Sequence, residues 1–132
     1  MSLVLDSGAL IALDRNDRAM WRRLKGASLA ADPPRSHGGV IGQVWRGRGP
    51  RQARLAQALE AIDVVPLDER LGRAAGVLLG RSRQHDVIDA ALVLLASDGD
   101  DVLTSDPDDL EPLARALGRH LEIIPVSGST SA

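Results

Sequence analysis

The chain has 132 residues, 44% of them hydrophobic, with no Cys, Phe or Tyr and with Trp21 and Trp45 as its only aromatic residues. That is enough for one domain to bury a core without staples, and the lack of cysteine excludes disulfides, thiolate metal sites and cysteine nucleophiles. The net charge of −2 argues against a sequence-independent coat on nucleic acid. Cations nevertheless gather in residues 15–54 and aspartates in residues 86–111, a pattern that can present a basic surface beside an acidic pocket.

"SLVLD" reads as a buried strand ending at Asp6, followed by a helix over "SGALIALDR". Asp6 interrupts the first apolar run, which has no basic leader, so a signal peptide is not expected. A second helix, "DRAMWRRLKG", starts at an Asp cap and ends at Gly26. "ASLAAD" is the expected second strand, stopped by Pro33 and Pro34. "GGVIGQVWRG" has helical spacing, and "PRQARLAQALEA" is an amphipathic helix that begins with proline. "DVVPL" is a third strand, "DERLGRAAGVLLGRS" a helix, and "DVIDAALVLLAS" a strongly apolar helix. "DDVLTS" is a fourth strand, "PDDLEPLARALG" a helix with Asp106 as its expected N-cap, and "LEIIPV" a fifth strand. Residues 127–132, "SGSTSA", are expected to be a disordered tail, leaving 1–126 as a single domain. No run reaches the length of a membrane-spanning helix, and the cytoplasm is the expected location.

Short apolar strands alternating with helices imply βαβ units and a parallel sheet covered on both faces, an α/β three-layer sandwich. Such sheets bind ligands beyond the carboxyl ends of their strands, where strand order reverses. Asp6 and Asp106 stand at two such ends. Asp86 and Asp89 open the helix before the fourth strand. Each acid is explicable alone as a helix cap or a dipole partner; their convergence on one edge is not. A cluster of carboxylates must share protons or bind a cation, and oxygen ligands alone suit Mg²⁺ or Mn²⁺ rather than zinc. His37, His85 and His120 show no zinc spacing and are expected at the surface. Ser7 has no serine-triad surroundings and starts a helix.

"VLDSGALIAL", "QVWRG…RQARLAQAL", "DVIDAALVLLA" and "VLTSDPDDL", in this order, resemble PIN-domain ribonucleases, and more closely the VapC toxins of type II toxin–antitoxin systems. The resemblance covers residues 3–126 and implies a five-stranded parallel sheet of order 3-2-1-4-5. It implies a metal site of Asp6, Asp89 and Asp106, with Asp86 and Asp109 as auxiliary acids and a catalytic position at Gln43. The family usually has glutamate there. Either Gln43 serves through its carbonyl or a water while Asp86 or Asp109 supplies the charge, or the domain is a slow or inactive nuclease. Retained activity is the expectation.

By the same resemblance, one or two Mg²⁺ or Mn²⁺ ions would activate water for attack on an RNA phosphodiester. Thr104 and Ser105 would orient the carboxylates. Arg46 lies three residues after Gln43, on the same helical face, and would hold a phosphate or neutralise the acids. Arg48, Arg51 and Arg54 are candidates to track the RNA backbone. Trp21 and Trp45 are expected to pack between helices. The implied partners are RNA, a small antitoxin and a second copy of the chain, for which Met20, Trp21 and Leu24 are apolar contact candidates.

Two rivals remain. An aspartate phosphatase wants an acid two residues after the first, where Gly8 stands, and a receiver domain wants a late lysine, whereas the only lysine is Lys25. A PIN-like module that binds antitoxin or RNA without cutting is the other, and Gln43 is the residue that favours it.

Overall fold

In the computed structural model, which describes residues 1–47 and 49–126, strands and helices alternate along the chain. The elements are β1 (Leu3–Leu5), α1 (Ser7–Asp14), α2 (Arg18–Leu29), β2 (Arg35–His37), α3 (Gly38–Val44), α4 (Pro50–Leu59), β3 (Asp63–Val65), α5 (Glu69–Ser82), α6 (Val87–Leu94), β4 (Asp101–Thr104), α7 (Pro107–Leu117) and β5 (Glu122–Pro125). All strand pairs are parallel, in the order β3-β2-β1-β4-β5. The chain therefore steps one way from β1 to β3, then crosses back to β4. Helix α1 packs with α2, α3 and α4, and α5, α6 and α7 pack with one another, the two layers that right-handed crossovers place on opposite faces of such a sheet. The reversal falls between β1 and β4, whose register pairs Leu5 with Leu103. The proposed tail, residues 127–132, lies outside the described residues.

The core is aliphatic, as the composition requires. Val4, Leu5 and Leu103 from the sheet pack with Leu10, Leu13, Leu55, Leu92 and Leu113 from the helices. Met20 and Leu24 are buried in this same core, so they are not available as contacts to a second copy. Trp21 packs beside them and its indole N–H donates to the Leu13 carbonyl at 3.0 Å. Trp45 departs from expectation: it is 40% exposed, because α3 ends at Val44 and Trp45 is already extended, with φ −78° and ψ 129°.

The second strand is also not where apolar patterning put it. Helix α2 continues through Gly26 to Leu29, and Leu29 is 80% exposed. An exposed helical glycine costs only about 1 kcal/mol relative to alanine, too little to stop the helix. The strand follows Pro33 and Pro34 instead, as Arg35–His37. Two of its three side chains are polar and wholly buried, and tertiary partners satisfy them: the Ser36 hydroxyl donates to Leu5 O at 2.9 Å, and both nitrogens of His37 are engaged. Among the described residues no helix is long and apolar enough to cross a membrane.

Candidate functional site

Asp6 leaves the carboxyl end of β1, where its N–H donates to Leu103 O at 3.1 Å. It caps α1, with Oδ1 accepting the Ala9 N–H at 3.1 Å. Its other oxygen accepts the Thr104 hydroxyl from the end of β4. Burial pushes the Asp6 carboxyl above its ordinary value, and the Thr104 hydroxyl with the N–H groups of Ala9, Gly8 and Ser105 opposes that rise. The α1 start and the β4–α7 loop nearly touch. A Cβ on Gly8 would stand 2.4 Å from Ser105 Oγ and 2.9 Å from the Ser105 nitrogen, so the side-chain-free residue permits the approach.

Asp89 comes from the opposite helical layer, in the first turn of α6. Asp86 caps that helix, its Oδ1 accepting the Asp89 N–H at 3.1 Å. The Asp89 carboxyl is pushed up to about 7, first by burial and then by the charges of Asp86, Asp109, Asp6 and Asp106. Five carboxylates thus share one edge of the sheet, at the reversal between β1 and β4.

Asp106 stands at the N-cap position of α7 but its side chain makes no capping hydrogen bond. Pro107 has no N–H, and the Asp109 N–H turns to the backbone oxygen of Asp106 at 3.1 Å. The carboxylate is left exposed on the acidic edge, touched by the Ser105 hydroxyl at 3.4 Å. Its own N–H donates to Thr104 Oγ1 at 2.8 Å. Asp109 is exposed in the first turn of α7. The acidic segment is split, since Asp98, Asp100 and Asp101 lie at the other end of β4. There Asp100 is buried and accepts from the backbone nitrogens of Ser2 and Ser97, a structural tie.

Gln43 is exposed on α3 and lines a cavity of about 400 Å³ together with Asp14, Arg15, Arg46 and Gln52. Arg46 lies beyond the helix rather than on its face. Its guanidinium donates to the carbonyls of Gly42, Gln43 and Trp45 at 3.2, 3.2 and 2.8 Å, so it closes the C-terminus of α3. Arg54 is exposed on α4. Arg48 and the side chain of Arg51 lie outside the described residues.

The sequence reading missed His37. It is not at the surface but wholly buried at the end of β2, where burial lowers its pKa. Only its position immediately before "GG" and a helix hinted at a capping role. His85 and His120 are exposed, as expected.

The donors at the acidic edge are carboxylates, in excess and mutually repelling, which fits a hard divalent cation in charge and ligand type. Among the described residues, no three His, Cys, Asp or Glu side chains form a ready-made metal cage. The acids share an edge without having closed on one point.

No family model and no curated protein matches the chain. A solved structure does: that of VapBC2 from Rickettsia felis bound to a DNA fragment from their promoter superposes with a TM-score of 0.65. The fold is PIN-like. The match spans 92% of this chain and 98% of the other, at 12% identity. The PIN-like sheet order 3-2-1-4-5 is what brings Asp6 beside Thr104 and Asp106, since it makes β1 and β4 neighbours.

Proposed function

We propose that this protein is a metal-dependent ribonuclease, using Mg²⁺ or Mn²⁺, and the toxin of a cytoplasmic toxin–antitoxin pair. The observation that carries the reading is Asp89, a half-buried carboxyl raised to about 7 among four other carboxylates at the strand-order reversal. Such a concentration of charge opposes folding unless a cation or protons offset it. Asp6, Asp89 and Asp106 would hold the ion. When bound, it supplies Lewis acidity and an activated water for attack on an RNA phosphodiester. Thr104 holds Asp6 and the Asp106 backbone in fixed relation, and Asp86 and Asp109 add negative potential that draws the cation. Arg54, with Arg48 and Arg51, would track the RNA backbone. A small antitoxin would meet the acidic edge with a cationic side chain, and self-association, if it occurs, uses surfaces other than Met20 and Leu24.

A second reading is a PIN-like module that binds without cutting. It is favoured by Gln43, which stands where the resemblance implies a glutamate and brings no charge to hold a cation. The deciding experiment is cleavage of total bacterial RNA by purified protein with Mg²⁺ or Mn²⁺, beside Asp6→Asn and a chelator control. Discrete products that vanish in both controls support the ribonuclease. No cleavage, with Mn²⁺ present and antitoxin removed, leaves the binding module as the better reading.

A further inference from the structure

The peptide unit joining Ile88 to Asp89 is held at both polar ends. Its N–H donates to Asp86 Oδ1 at 3.1 Å. Its carbonyl oxygen, Ile88 O, lies 2.9 Å from His37 Nε2. The other ring nitrogen of His37, Nδ1, accepts the Gly39 N–H at 3.1 Å. A nitrogen that accepts a backbone N–H cannot carry the proton, so Nε2 is protonated and donates to Ile88 O. A helical carbonyl has a second lone pair beyond the one used by the residue four positions later, and the imidazole takes it.

The contact is tight on the α3 side as well. A Cβ on Gly39 would stand 2.4 Å from Ile88 Cδ1 and 2.9 Å from His37 Cε1. Glycine at this position lets α3 and α6 close on the imidazole between them. The partner carbonyl belongs to the peptide from which Asp89 projects. The like charges of Asp109, Asp6 and Asp106 on neighbouring elements push Asp89, and with it the start of α6, away from the sheet edge, where the first turn of a helix has few internal bonds to hold it. The exposed Asp86 cap resists that from outside, and the buried imidazole resists it from inside.

We infer that His37 is a positioning residue for Asp89, anchoring the first turn of α6 to β2 and α3 so that the Asp89 carboxylate keeps one direction. This deepens the ribonuclease reading and rests on it for the effect on catalysis. Its effect on the α6 turn stands independently.

The test uses His37→Phe, which keeps a ring and loses both polar contacts, and His37→Gln, which restores an N–H near the Nε2 position. Three quantities are read on the purified protein: hydrogen exchange of the Asp89 and Ala90 amides relative to Leu103, Mn²⁺ affinity by calorimetry, and kcat and KM separately. For His37→Phe we expect faster exchange in the α6 turn and losses of about tenfold or more in Mn²⁺ affinity and kcat, with KM little changed. His37→Gln recovers a large part of each. A variant that melts earlier but keeps wild-type exchange at Asp89, Mn²⁺ affinity and kcat makes His37 a packing residue only and overturns the inference. If His37→Phe does not fold, Gly39→Ala is read in its place, since its methyl group strikes both Ile88 and the imidazole. Unchanged exchange and affinity there also overturn it. A wild-type protein that binds no Mn²⁺ and cuts no RNA removes the ribonuclease reading, and exchange at Asp89 alone then decides the role of His37.

Discussion

The Thr104 hydroxyl donates to the Asp6 carboxylate while accepting the Asp106 N–H at 2.8 Å. One buried oxygen at the end of β4 thereby sets the spacing of two acids from different strands. Removing it in Thr104→Val leaves Asp6 buried with one donor fewer. An unsatisfied buried polar group costs about 1–3 kcal/mol, so the variant should unfold at lower urea and cut RNA more slowly. Thr104→Ser keeps the hydroxyl and should lie near wild type. Equal losses in Ser and Val variants would remove the hydroxyl from the explanation.

Gly8 tests how closely α1 and the β4–α7 loop must meet. Its added Cβ meets Ser105 Oγ, Cβ and backbone nitrogen, all within 2.9 Å. Overpacking of this kind costs about 1–3 kcal/mol, so Gly8→Ala should lower thermal stability. Adding Ser105→Gly removes two of the three clashes and should restore part of the loss. A pair of changes that is simply additive in a denaturant titration would contradict the contact.

The sign of the pH dependence follows from Asp89. Its folded value of about 7 lies above the ordinary 3.8, so between those values the folded state holds a proton that the unfolded state has lost. Stability from this group is present below about pH 4 and declines as pH rises toward 7. Asp6, also raised, contributes with the same sign. His37, held below its ordinary value by burial, contributes with the opposite sign, so the Asp89 part is read by difference: from pH 5 to pH 7.5 metal-free wild type should lose thermal stability relative to Asp89→Asn. Mn²⁺ should offset that loss, because the ion needs the ionised carboxylates. Melts in chelator in which wild type and Asp89→Asn run parallel across this range would refute this account.

Gln43→Glu is the remaining substitution of interest. The new carboxylate would stand in the cavity that Arg15 and Arg46 also line, where two guanidinium groups offset its charge. Cleavage should then stay within about threefold of wild type, under ~0.7 kcal/mol of barrier. A much larger gain, measured on one RNA substrate with Mn²⁺, would mean that residue 43 reaches the metal-binding edge after all.

What sequence by itself determined here is mostly local. Apolar runs of strand length between amphipathic helices specify the α/β alternation, because each element must bury one face or one stripe. Asp6 at a strand end and Asp86 before an apolar helix announce themselves through cap chemistry that involves only neighbours a few residues away. The tertiary structure decided what depends on distant partners. The strand Arg35–His37 was hidden because its buried polar side chains look like a loop until Leu5 and Ile88 are in place to receive their hydrogen bonds and Gly39 to donate one. Asp106 looked like a cap, yet the proline after it and the Asp109 N–H turning to its backbone oxygen leave the carboxylate free for the acidic edge. For Ser36 and His37 the deciding energy is the desolvation of a polar group, which has no value until the fold determines whether water or a hydrogen-bond partner lies beside it.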